Sequence, residues 1–200
     1  MNKACENLKL SIEPERRWIA VVGSPRKGGN TELLVDYLIE ELKVKNIRTD
    51  KFILNSRNIS ACTGCEQCIK TGTCIIKDDV SCLIDEMKDA DGLILASPSY
   101  NYNVTAQMKS FLDRTFCLND YNSGCKSRLS PGKKAVVAGV CRGKNSESMG
   151  FTIESMSRTL CELGIDVVSV LEYYDTKNSP VADNDCIREQ VAKTVKAVTL

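Results

Sequence analysis

Between Trp18 and Leu38 the chain passes from Trp-Ile-Ala-Val-Val through Gly-Ser-Pro-Arg-Lys-Gly-Gly-Asn-Thr into a segment with Leu33, Leu34, Tyr37 and Leu38, continued by Leu42. The opening apolar run, bounded by Gly23, predicts a strand buried on both faces, as in a parallel sheet. The later apolar residues recur at helical spacing. A strand, a Gly-rich turn and a helix in that order place free N–H groups and a positive dipole end at the turn, which suits an anion. Ser24, Asn30 and Thr31 add uncharged donors, Gly29 opens the helix, and Arg26 and Lys27 add positive charge; Arg26 can grip a phosphate with two parallel hydrogen bonds.

The spacing narrows the phosphate. Gly23-x4-Gly28 begins like a P-loop, but Gly29 and Asn30 stand where Lys and Ser/Thr would be required. The dinucleotide fingerprint G-x-G-x-x-G is missing, and the next apolar stretch, residues 51–54, ends without an acidic residue for a ribose. A terminal monophosphate, as on FMN, remains. The plain alternative is a helix-capping turn carrying a solvated Arg-Lys pair.

Further apolar runs at 92–96, 134–140 and 166–171 alternate with helical patterns at 80–87, 105–116, 149–163 and 191–198. Five strands alternating with helices predict an α/β, flavodoxin-like doubly wound five-stranded parallel sheet of order 2-1-3-4-5, with a cysteine-rich loop after strand 2. Ligands of such sheets sit beyond the carboxyl ends of the strands. That rule gathers three loops, 23–31, 97–103 and 140–147. The second offers Pro98, Ser99, Tyr100, Asn101, Tyr102 and Asn103, with rings to flank a flat heterocycle and amides for its polar edge. The third adds Cys141 and Gly143.

The most specific pattern is Cys62-x2-Cys65-x2-Cys68-x5-Cys74, within a loop over 60–77. Three cysteines at successive x2 spacings with a nearby fourth suit a ferredoxin-type [4Fe–4S] centre, although the last gap is five residues and no Pro follows Cys74. Zinc more often takes two separated C-x2-C pairs, and reduced or redox-active thiols are the third reading. The chain has 11 Cys and no His, which removes His-based triads and His-containing metal sites. An odd, dense cysteine content without an apolar leader argues against a disulfide scaffold and for a reducing cytoplasm. Net charge of +1 gives no case for nucleic acid or a membrane surface, and no apolar run could span a bilayer. Residues 1–17 are polar and predict an arm, with one domain over 18–200.

GSPRKGGNTELL resembles the phosphate loop of the NADPH-dependent FMN reductase group within the flavodoxin-like superfamily. Ser97-Pro98-Ser99-Tyr100 with Asp113-Arg114 resembles its second flavin loop and following helix. Val140-Cys141-Arg142-Gly143 stands where relatives commonly carry Thr-Cys-Gly-Gly, with Arg142 as a departure. Joined to the cysteine motif, these resemble the iron–sulfur flavoproteins of anaerobes. The resemblance implies FMN on the loops named and cluster ligation by Cys62, Cys65, Cys68 and Cys74. It also implies a homo-oligomer, dimer or tetramer, exchanging electrons with ferredoxin or another small redox protein. No side chain is singled out as catalytic. The rival expectations are an NAD(P)H-dependent FMN or quinone reductase without a cluster, and a redox-sensing or zinc-stapled binding module.

Overall fold

A computed structural model describes residues 16–198. The strands are β1 (Arg16–Val22), β2 (Ile47–Ile53), β3 (Gly92–Pro98), β4 (Asn119–Asp120), β5 (Lys126–Ser127), β6 (Lys134–Val140) and β7 (Asp166–Tyr173). The helices are α1 (Asn30–Val44), α2 (Gln67–Thr71), α3 (Asp79–Asp89), α4 (Ala106–Arg114), α5 (Ser146–Met149), α6 (Thr152–Glu162) and α7 (Ile187–Lys196). Five strands pair in parallel in the order β2-β1-β3-β6-β7, which is the expected 2-1-3-4-5 arrangement. β4 and β5 make a separate antiparallel pair. The arm expected over 1–17 lies, apart from Arg16 and Arg17, outside the described residues. These two open β1, where Arg17 bonds Asp50 Oδ2 at 2.9 Å and also pairs with Glu86.

Alternation along the strands feeds two cores. Ile19, Val21, Leu93 and Leu95 pack with α3, α4 and α6 through Leu83, Met87, Met108, Phe111, Met156 and Leu160. Trp18, Ala20, Val22 and Ile94 face the other side, with α1 and α7 through Leu34, Leu38, Val191 and Val195. Continuous apolar strands are the mark of a sheet covered on both faces. Trp18 lies over its register partner Gly92, where an added Cβ would stand 2.2 Å from the indole, so only glycine fits.

One helical pattern is interrupted. The helix expected over 149–163 splits into α5 and α6 at Gly150, whose φ is +56°. Its Cβ would meet the Tyr102 carbonyl oxygen at 2.2 Å, and the next N–H, of Phe151, donates to that same oxygen at 2.7 Å. The helix breaks so that this segment can hold the 97–103 loop.

Candidate functional site

The turn after β1 is shaped by its own hydrogen bonds. Ser24 Oγ accepts from the Arg26 N–H at 3.2 Å, the Asn55 amide donates to Pro25 O at 3.0 Å, and Gly28 N–H donates to Glu32 Oε2 at 2.7 Å. Glu32 is itself buried and also accepts from Lys51 Nζ at 3.0 Å. Burial alone would raise the Glu32 carboxyl; the Gly28 N–H and Lys51 outweigh it and hold the carboxyl below its ordinary value. Behind the turn, Thr105 Oγ1 donates to Gly23 O at 2.6 Å and accepts from Met108 N–H at 3.2 Å, so the N-cap of α4 also fixes the end of β1.

α1 starts at this turn with Gly29 as N-cap, which gives no side-chain hydrogen bond. A 15-residue helix thus presents its first N–H groups without a side-chain acceptor. Arg26 is exposed beside them and has no ion-pair partner among the described residues. A cleft of about 440 Å³ opens here, lined by Ser24, Arg26, Gly29, Asn30 and Thr31 from the first loop. Pro98, Ser99 and Tyr100 line it from the second, and Val140, Cys141 and Arg142 from the third. An uncapped helix start, a cation and a cleft of this shape fit a flat ligand that ends in a phosphate.

Other candidates do not line this cleft. The 100–103 turn closes by paired backbone bonds, Tyr100 N–H to Asn103 O at 2.7 Å and Asn103 N–H to Tyr100 O at 3.1 Å, with Asn101 and Tyr102 at φ of +49° and +68°. Asn103 Oδ1 accepts from Val104 N–H at 2.8 Å and Ser155 Oγ at 2.9 Å, which ties its side-chain oxygen to the loop and to α6. Lys27, Asn101, Tyr102 and Gly143 do not line the cleft either. Gly143 instead lets the third loop approach α5: its Cβ would lie 2.0 Å from Ser148 Oγ. The Asn30 side-chain oxygen accepts from Val181 N–H at 2.9 Å, which leaves its amide nitrogen for a ligand. Ser99 Oγ donates to Ser148 O at 2.9 Å, so it braces the wall. Burial raises the Cys141 thiol above its ordinary value.

Thr176 and Lys177 also line the cleft, and sequence reasoning missed them. They follow β7, and Thr176 N–H donates to Cys141 O at 3.2 Å while Asp175 N–H donates to Gly143 O at 2.6 Å. The rule that brought three strand ends together applies equally to the fifth strand, so the signal was present.

The cysteine loop forms a second cavity, of about 380 Å³, that shares no lining residue with the first. Cys62, Cys65, Cys68 and Cys74 all line it, with Gly64, Ile75, Asp113 and Phe116. Cys62 and Cys65 are exposed; Cys68 and Cys74 are half-buried against the α3–α4 core. The Gln67 N–H, and then the Thr63 hydroxyl, hold the Cys65 thiol below its ordinary value, while burial raises that of Cys68. Among the described residues no three Cys, Asp or Glu side chains converge as on one ion. Four thiols on one cavity are the donor set that a four-iron cluster, with one thiolate per iron, would need.

Asp78 anchors this loop. It caps α3 by accepting from Val80 and Ser81 N–H at 3.1 and 3.3 Å, and it accepts Ser60 N–H at 2.9 Å. Burial would raise its carboxyl, but Arg114 and these N–H groups hold it below the ordinary value.

The comparisons bear on both cavities. A model of the NADPH-dependent FMN reductase family matches residues 16–175. An iron–sulfur flavoprotein of Archaeoglobus fulgidus is 35% identical over 167 residues, covering 84% of this chain and 72% of the relative. An iron–sulfur flavoprotein of Methanosarcina thermophila is 29% identical over 88% of this chain and 90% of its own. Among solved structures, an FMN-dependent NADH-azoreductase from Bacillus anthracis in complex with FMN superposes with a TM-score of 0.71 at 12% identity, covering 92% of this chain and 100% of that one. An NADH:FMN oxidoreductase in its apo form gives 0.66 at 19% identity, over 92% and 90%. At such identities the structures speak for the fold.

Proposed function

The chain belongs to the NADPH-dependent FMN reductase family, in its iron–sulfur flavoprotein group, and is a flavin-dependent oxidoreductase; on that premise we propose that it is an electron-transfer flavoprotein carrying FMN in the first cavity and a [4Fe–4S] cluster in the second. The observation that carries the second half is the lining of one cavity by all four motif cysteines on an FMN-reductase scaffold. Bound there, the flavin would pass electrons singly or in pairs and the cluster singly.

The chain's own part is binding and insulation. The α1 start, Arg26, Ser24 and Thr31 would hold the phosphate, with the Asn30 amide beside it. Tyr100, Pro98 and the third loop would flank the ring, and the Ser99 and Thr105 hydrogen bonds keep those walls fixed. Cys62, Cys65, Cys68 and Cys74 would bind the irons as thiolates.

Cys62 and Cys65 stand at the surface, so a cluster there would face solvent unless a neighbouring subunit covers it. This supports a homo-oligomer, with ferredoxin or another small redox protein as electron partner. No helix among the described residues is long and apolar enough to cross a membrane, and we take the reducing cytoplasm as its setting. The test is chemical: protein made and purified without oxygen should contain iron, sulfide and FMN together. Flavin without iron would favour a cluster-free NAD(P)H-dependent FMN or quinone reductase.

A further inference from the structure

Arg114 closes α4 inside the protein. Its side chain is 0% exposed and that of its partner Asp78 is 2% exposed. The guanidinium fork meets the carboxylate squarely, Nη1 to Oδ2 at 2.9 Å and Nη2 to Oδ1 at 3.1 Å. The same nitrogens donate to two carbonyls far apart in sequence, Nη1 to Ser60 O at 3.1 Å and Nη2 to Ile76 O at 3.0 Å. Those carbonyls mark the beginning and the end of the cysteine loop. Nε is buried and has no hydrogen-bond partner. Ile76, whose carbonyl the guanidinium holds, is two residues from Cys74, and Cys74 packs against the core that α4 helps to build. Burial disfavours the guanidinium charge, while Asp78 and then the Cys74 sulfur favour it. A buried cation with a donor to spare, next to one of four candidate thiolates, is more than a loop staple requires.

We propose that Arg114 is a positioning residue of the cysteine site, pinning both ends of the loop and setting a positive charge with a spare N–H at Cys74, so that the site accepts an electron at a higher potential than the thiolates alone would give. The inference rests on the reading that Cys62, Cys65, Cys68 and Cys74 hold a cluster. Electron uptake there makes and breaks no bond and adds one negative charge, supplied in the test by a chemical reductant. A nearby cation and an N–H donor to a ligating sulfur both favour the more negative state. The low dielectric of the site strengthens the effect. Asp78 works against it, because its charge opposes that of Arg114.

That opposition gives the test two signs. Arg114→Gln removes the cation, and Asp78→Asn removes the counter-charge. Anaerobic holoprotein of each variant is titrated with a chemical reductant while the cluster and flavin bands are followed in the same spectra, and iron is counted. Arg114→Gln should lower the cluster potential and Asp78→Asn should raise it, each by at least tenfold in the equilibrium constant, or 59 mV for one electron. The flavin potential, in a cavity with no shared lining, should stay in place. A loop merely slackened would shift both variants in the same direction. Where either variant fails to fold, Arg114→Lys, which keeps the charge but loses the fork, should fold and lie below the wild-type potential by less than tenfold in the equilibrium constant, or 59 mV. Full clusters at the wild-type potential in every variant that folds, or shifts of one sign in Gln and Asn alike, would overturn this inference alone. Wild-type protein without iron would overturn the cluster reading and this inference with it.

Discussion

The two cavities are built by opposite means. The cleft over β1, β3 and β6 is framed by the ends of paired parallel strands and by the start of α1, and its loops are tied by hydrogen bonds such as Thr105 to Gly23 and Ser99 to Ser148. The cysteine cavity hangs on a loop whose residues 61–67 are all exposed and whose regular structure is the five-residue α2. A sheet shapes the first before any ligand arrives, so ordering costs little on binding. The second is held at its ends by Asp78 and Arg114, with exposed loop between them. On the proposed reading, the flavin would sit in preformed architecture and the cluster in a short clasped loop.

The largest effect expected from breaking this comparison is at Cys68. Cys68→Ala should lose most of the iron and the broad visible absorbance of an iron–sulfur centre, because a four-thiolate site lacks a ligand. FMN should stay bound, since no residue lines both cavities. Cys82→Ala, exposed on α3 just outside the motif, should keep both. A full iron complement in Cys68→Ala would contradict the assignment.

The reverse perturbation is Arg26→Ala. It should weaken FMN by about 1.5–3 kcal/mol, the worth of a charge-assisted hydrogen bond, or roughly 10- to 150-fold in Kd. Iron should be unchanged, and riboflavin should bind wild type far less tightly than FMN. Equal affinity for FMN and riboflavin, measured by flavin fluorescence, would show that no phosphate sits on this turn.

Gly150→Ala probes the scaffold of the cleft. A side chain there would adopt a left-handed conformation and press on the Tyr102 carbonyl. Unfolding in urea should report a loss of about 1–3 kcal/mol, with flavin affinity reduced and iron retained. A variant as stable as wild type would show that the 97–103 loop does not need this support.

The smallest effect is in acid. Glu32 has its carboxyl held below the ordinary value in the folded state, so the stability it adds is present at neutral pH. It is lost as the pH falls beneath about 4.3, the unfolded value, and on through the lowered one. Glu32→Gln should flatten that part of the stability profile by about 1 kcal/mol. An unchanged acid limb would mean that the Gly28 contact adds nothing.

Much of this was legible because the two-sided strands carry continuous apolar runs and β1 leads straight into a Gly-rich helix start. By residue type either Asp78 or Asp79 can cap α3, and the structure uses Asp78; Gly164, φ +70°, reads as the stop of α6. The break at Gly150 was not, because its reason is the carbonyl of Tyr102, far away in sequence. Asn103 read as a ligand contact by residue type, and only the fold shows it bonded to Ser155. Arg114 read as part of a helix resembling the family's, and its clasp on Ser60 and Ile76 exists only once α4 lies under the cysteine loop.

The central claim is that one chain carries both cofactors in separate cavities. Iron, acid-labile sulfide and flavin counted on the same anaerobically prepared sample test it most directly. The account predicts four irons and four sulfides for each FMN. A full complement of FMN with neither iron nor sulfide would contradict it.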